Sequence, residues 1–151
     1  MNFFIKTLSV ALVALVSLMV SCSKSSSENP NSAVAGTWTM TTSVKSGCTD
    51  PSYNNTETYG CPATAAASCL KLTFNTNGSL TVDDTWIDSF SGSTSTDTGT
   101  GTFSISGTLL KATVYGSTTN FTYSLSADKK TLTLVTKNSS TGCTETDTLT
   151  K

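Results

Sequence analysis

The sequence predicts an all-β fold, an eight-stranded antiparallel up-and-down β-barrel, and three observations carry that prediction. From Gly36 onward, apolar residues alternate with hydroxyl-bearing ones at period two, the mark of strands with one buried face. Turn signals recur at strand-length intervals, at Asn77-Gly78, Gly107, Gly116-Ser117, Asp128 to Lys130 and Asn138 to Gly142, and these residue types tolerate the backbone that tight turns need. Charge is sparse, at 13% of 151 residues, and its place is taken by threonine and serine, which suit the outer face of a pleated sheet. A series of short strands joined by tight turns favours a meander closed on itself, since closure removes exposed edges. An immunoglobulin-like sandwich is the rival. It is disfavoured by the missing Cys, Trp, Cys spacing and by turns too short for crossovers.

The chain opens with Lys6, an apolar run from Leu8 to Val20, and then Met19, Val20, Ser21, Cys22. That run is shorter than the about 20 residues a bilayer span requires and lacks a basic stop-transfer flank. Residues 1–21 therefore read as a lipoprotein signal peptide, removed on maturation. The end of the run resembles the bacterial lipobox, with Met19 where leucine is usual, and Cys22 is the expected lipidation site. Two or three acyl chains there give stable anchoring where one gives only marginal binding. The expected location is the bacterial cell envelope, at the outer membrane, with the periplasmic and surface faces both open because no acidic export-like cluster follows Cys22. Residues 22–34 are rich in Ser and Asn without apolar periodicity and read as the acylated cysteine and a flexible tether. Residues 35–151 are left for one barrel domain.

Within it the first strand places Trp38, Met40, Thr42 and Val44 on one face and Thr37, Thr39, Thr41 and Ser43 on the other. The second carries Leu70, Leu72 and Phe74. The third runs from Leu80 and Val82 toward Trp86 and Phe90, with a bend or bulge expected where Asp83 and Asp84 interrupt the alternation. Ser91 to Gly99 reads as a polar loop. The remaining strands are Thr102 to Ile105, Leu110 to Val114, Phe121 to Leu125, the Leu132 and Leu134 segment, and Cys143 to Thr150. Trp38, Phe74, Phe103, Phe121 and Tyr123 are expected to face inward as core.

Gly36-Thr37-Trp38 at the head of the first strand, Leu72-Thr73-Phe74 leading through Asn77-Gly78, and Gly101-Thr102-Phe103 opening a hairpin to Leu110 resemble the lipocalin-like domains of bacterial envelope lipoproteins. The resemblance covers Ala35 to Lys151. It implies a cup whose first loop arches over the open end. Lipocalins also lay an arginine from the last strands over the signature tryptophan and pack a helix against the barrel. This chain has no arginine and shows no such helix. Lys151 or Lys137 is the available substitute, without the planar stack of a guanidinium.

Ser46 to Ser68 is the longest join, and a long loop in a small domain suggests function. It is expected to form a lid, with a helical turn from Pro62 through Ala67. Apart from Cys22, four cysteines remain, Cys48, Cys61, Cys69 and Cys143, an even set that suggests two disulfides in an oxidising compartment. The barrel topology gathers all four at one rim. Pairing Cys48 with Cys143 and Cys61 with Cys69 is preferred because the first and last strands are neighbours, and the other two connectivities stay open.

Function is narrowed mainly by exclusion. The chain has no histidine, no arginine and a net charge of −1, so it offers no basic face to nucleic acid. Catalysis is not expected, because the common base is missing and no nucleophile sits in a recognisable frame. Asp83, Asp84 and Asp88 lack the loop pattern of a calcium site and read as a solvated strand edge, and no cofactor is expected. Two readings remain. One is a lipid-anchored binder of a small apolar or amphipathic ligand at the barrel mouth, with Tyr53, Tyr59, Trp86 and Phe90 as ligand-binding candidates. The other is a structural or interaction protein of the cell envelope with a filled barrel.

Overall fold

The computed structural model describes residues 28–151. The expected signal peptide of residues 1–21, the expected lipidation site Cys22 and the first part of the expected tether lie outside the described residues. Nine antiparallel strands make one sheet: β1 (Gly36–Ser46), β2 (Asn55–Thr58), β3 (Cys69–Phe74), β4 (Ser79–Ile87), β5 (Thr94–Ser106), β6 (Leu109–Val114), β7 (Ser117–Leu125), β8 (Thr131–Lys137) and β9 (Thr144–Thr150). From β3 to β9 each strand pairs with the next. β9 returns to β1, from Thr39↔Thr150 to Ser46↔Thr144, and closes an eight-stranded up-and-down barrel.

β2 is the strand beyond the expected eight, and it changes the reading of the Ser46 to Ser68 loop. β3 pairs only with Gly36 to Thr39 of β1, which leaves the far half of that edge without partners. β2 takes them up, from Thr42↔Thr58 to Lys45↔Asn55, so this part of the loop is wall and does not form a lid. The expected helical turn from Pro62 through Ala67 is absent as well. Thr64 and Ala67 exchange backbone hydrogen bonds in a tight hairpin, the Gly60 N–H donates to the Ser68 carbonyl, and the Cys61–Cys69 disulfide closes the excursion. Six residues held at both ends are too few to nucleate a helix. A single 3-10 turn stands earlier instead, at Pro51–Tyr53, where the Asp50 side chain accepts from the Ser52 N–H.

Two further expectations are corrected by register. Between Met40 and Thr42 a β-bulge shifts β1 against β9. Such a bulge reverses which side chains point inward, so Ser43 is buried where Val44 was expected. On β4 the expected interruption does not occur. Pairing with β5 runs unbroken from Ser79↔Thr102 to Ile87↔Thr94, which also makes Thr94 to Gly99 strand where a loop was expected. The connecting turn is shorter, and the Asp88 carboxylate caps it by accepting from the Phe90 and Ser91 N–H groups.

One end of the barrel is closed. The expectation of a flexible tether through residue 34 is corrected from Asn29 onward, because Pro30–Ala33 forms a 3-10 turn packed against β5. Asn29 donates to the Thr76 carbonyl, Asn31 accepts from the Ile105 N–H, and Val34 is fully buried. Trp38 lies directly above, with its indole N–H donating to the Val34 carbonyl at 2.7 Å. Lys151 holds the position for which an arginine was missing: its Nζ lies 4.4 Å from the Trp38 ring centroid and donates to the Ala35 carbonyl at 2.8 Å. Gly36 leaves room for it, since a Cβ there would stand 3.1 Å from the lysine Cε. Above this plug, Phe74, Leu80, Phe103, Ile105, Leu110, Leu132 and Leu149 fill the interior, with Phe74 and Phe103 packed edge to face. Phe121 and Tyr123 are partly buried against the same core.

Candidate functional site: the barrel mouth

The opposite end is open, and the lengths of the hairpins shape it. The β6–β7 hairpin ends at Tyr115 and Gly116, where Val114 pairs with Gly101. β5 continues past that point through Thr100 to Thr94, about 23 Å further at ~3.3 Å per residue. β7 pairs with β8 only from Thr122 to Leu125, so Ser117 to Phe121 stand away from β8. The wall is therefore notched on the β6–β7 side. A cavity of about 220 Å³ lies behind the notch, lined by Met40, Leu72, Val82, Val114, Phe121 and Asp147 among others. Its walls are apolar except for Ser117, Thr119 and Asp147.

Asp147 belongs to a set of carboxylates that the strand alternation turns inward. On β9, Leu149 is fully buried, so Asp147 and Glu145 follow on the same face. On β4, Leu80 and Val82 are inside, so Asp84 is too, and it stands directly opposite Asp97 of β5. Glu57 of β2 opposes Ser43 and shares its inward face. Lys45 is the one lysine on this face among the described residues, and it approaches Glu145 to 3.7 Å. Ser43 donates to Glu145 Oε1 at 3.2 Å. Lys71, Lys111 and Lys137 alternate onto the outer face, and Lys151 is at the closed end.

Burial and neighbouring negative charge act on these groups together. Burial pushes the Asp147 carboxyl above the usual carboxylate range, and nearby Glu145 and Glu57 add to the rise while Ser43 and Lys45 oppose it. Tyr59 reaches in from the end of β2, with its hydroxyl donating to Glu57 Oε2 at 2.9 Å. Burial, then that bond, holds its phenol above the ordinary tyrosine range, with Asp147 and Asp84 also contributing. Glu57 is held low by hydrogen bonds from Asn55 and then Tyr59. Asp84 Oδ1 is shut off from solvent and has no hydrogen-bond partner among the described residues. Tyr115, at the tip of the short hairpin, lies over Gly99, where a Cβ would stand 2.6 Å from its ring, and donates to Asp97 Oδ2 at 2.8 Å. Among the described residues no cluster of three or more ligating side chains is arranged to hold a metal ion.

Of the four ligand-binding candidates, the structure brings two to this mouth. Tyr59 is inside it, packed against the core, and Trp86, two residues beyond Asp84 on the same face, stands half-exposed at its rim. Tyr53 lines a second groove of about 340 Å³ at the same end, with Asn55, Asn138 and Thr141, and this groove shares Lys45 and Glu145 with the carboxylate set. Phe90 is fully exposed at the tip of the β4–β5 turn, away from the cavity. Sequence reasoning missed Tyr115, Asp84, Asp97, Glu145 and Asp147. The signal for the last two was present, because Cys143, Glu145, Asp147 and Leu149 share one alternation class and Leu149 can only be core.

The two disulfides staple this end. Cys48–Cys143 ties the end of β1 to the start of β9 across 95 residues, and Cys61–Cys69 closes the excursion before β3. No family model matches the chain, and no curated protein matches it in sequence.

Proposed function

We propose that the chain is a lipid-anchored envelope protein of lipocalin-like design, without catalytic activity, that binds a small apolar or amphipathic molecule in the barrel mouth. The observation that carries this reading is the apolar cavity of about 220 Å³ behind the notch, at the end of the barrel that no plug covers among the described residues. Ligand pockets typically hold about 300–1,000 Å³, so the part of the ligand that enters is small. The anchoring half of the reading rests on Cys22 and the apolar run before it. A filled barrel serving only as an interaction scaffold fits the closed half and leaves the mouth unexplained.

Native mass spectrometry of the protein purified from cell envelope with its disulfides intact, followed by organic extraction, tests both halves. The expected results are a mass increment for diacylglycerol on Cys22 and a stoichiometric small molecule released on denaturation. An empty protein that also takes up none of a panel of small apolar fluorescent probes overturns the binding reading in favour of the scaffold.

A further inference from the structure

The apolar cavity says what the inner part of a ligand resembles, and the rim above it says what the outer part carries. Asp84, Asp97, Glu145, Asp147 and Glu57 face the mouth with Lys45 as their one cationic neighbour among the described residues. Asp84 and Asp97 are direct cross-strand partners, an arrangement in which like charges repel. Asp84 Oδ1 is shut off from solvent without a hydrogen-bond partner among the described residues, and Asp147 is the carboxylate that lines the apolar cavity itself. Three aromatic side chains stand among these carboxylates: Tyr59 against the core, Trp86 beyond Asp84, and Tyr115 against Asp97. Carboxylates with aromatic faces are the chemistry that receives an ammonium group, which gains from the charge and from the ring quadrupoles together.

Resting on the binding reading above, we infer that the ligand is a small cationic amphiphile, an alkyl- or arylammonium compound. Its apolar part fills the cavity of Met40, Leu72, Val82, Val114 and Phe121, and its ammonium group lies at Asp147, the carboxylate in the cavity lining. A fatty acid or other anion of the same shape would add a further negative charge to the ring and is selected against. A neutral alcohol would gain the cavity and leave the carboxylates without a counter-charge.

The test compares three probes with one tail, octylammonium, octanol and octanoate, titrated calorimetrically into the disulfide-bonded protein at neutral pH. Octylammonium is expected to bind at least about tenfold more tightly than octanol, and octanoate more weakly than either. The preference should shrink with added salt. In the Asp84→Asn/Asp147→Asn double variant it should vanish while octanol binding persists. Octanol or octanoate binding as tightly as octylammonium overturns the cationic assignment and leaves the binding reading standing. Failure of all three probes to bind, together with shorter- and longer-tailed homologues, overturns the binding reading itself. The comparison in the unmodified protein decides the matter even if the double variant does not fold.

Discussion

The two ends of this barrel are built from the same strands and differ in what the alternation points inward. β9 shows it within one strand: Leu149 is fully buried at the closed end, while Asp147 and Glu145, further along the same face, reach the mouth. Below, the inward positions hold Trp38, Phe74, Leu110 and Leu132, and the Pro30–Ala33 turn seals them. Above, they hold carboxylates, hydroxyls and an aromatic rim, with two disulfides fastening the wall. The closed half supplies the burial that folding needs, and the mouth is stapled because its own composition supplies little.

If that division is right, the largest effects come from breaking the closed half. Trp38→Ala removes a fully buried ring and its hydrogen bond to Val34, and is expected to cost about 3–5 kcal/mol in urea denaturation. A cost below about 1 kcal/mol would mean that the plug end is not where stability resides. Next comes the staple at the mouth. Replacing Cys48 and Cys143 together with serine opens a 95-residue separation and should cost about 2–4 kcal/mol, more than the same change at Cys61 and Cys69, whose loop is short. Equal losses for the two pairs would argue that the long bridge does not tie β1 to β9 in solution.

Smaller effects sharpen the boundary between tether and barrel. Asn31→Ala leaves the Ile105 N–H without its acceptor and is expected to lower stability by about 1–2 kcal/mol. Amide hydrogen exchange should show faster exchange at Ile105, and unchanged exchange there would place Asn29 to Val34 back with the tether. Lys151→Ala should cost less, about 0.5–1 kcal/mol, because the lysine is exposed while it caps Trp38 and the Ala35 carbonyl. Lys151→Arg should retain most of that contribution.

The same division governed what could be read from the sequence. Where strands line a packed interior, alternation is unambiguous: Trp38, Phe74 and Phe103 were legible as core and are buried, while Phe121 and Tyr123, read the same way, are partly buried against it. At the mouth neither face is fully dry, so Asn55–Thr58 and Thr94 to Gly99 carry polar residues on both faces and read as loop although they are strand. The bulge between Met40 and Thr42 inserts no residue type that announces it, so the inward face was followed one step too far, to Val44 instead of Ser43. Asp84 was read, with Asp83 and Asp88, as part of a solvated strand edge. Its place in alternation with Leu80 and Val82, and the shielding of its Oδ1 from solvent, show otherwise. The plug was hidden for the opposite reason: Asn29 and Asn31 bind backbone groups far along the chain, at Thr76 and Ile105, and no local pattern reveals such partners.

The smallest expected effect has the opposite sign and bears most directly on the mouth. Asp147 is acted on by Ser43 and Lys45 on β1, Glu57 on β2 and Glu145 on β9, and by Tyr59 beyond β2, while the β6, β7 and β8 residues around it in the cavity are not titratable. Burial first, and then Glu145 and Glu57, raise its carboxyl above the unfolded value. The folded protein therefore holds that proton more tightly than the unfolded chain does. The stability linked to this group is present at low pH and is lost as pH rises through the folded value. Asp50, Asp88, Asp128 and Glu57 are shifted the other way, chiefly by hydrogen bonds to the charged form, so their contribution is present at neutral pH and is lost on acidification through their lowered values. Asp147→Asn isolates the first effect from the others. The variant should melt at a higher temperature than the natural protein at neutral pH, and the gap should close as pH falls and the natural carboxylate takes up its proton. A variant that melts lower at neutral pH would mean that Ser43 and Lys45 more than offset the burial of Asp147. The carboxylate would then be a structural member of the wall, and the mouth would lose the feature that sets it against the closed end.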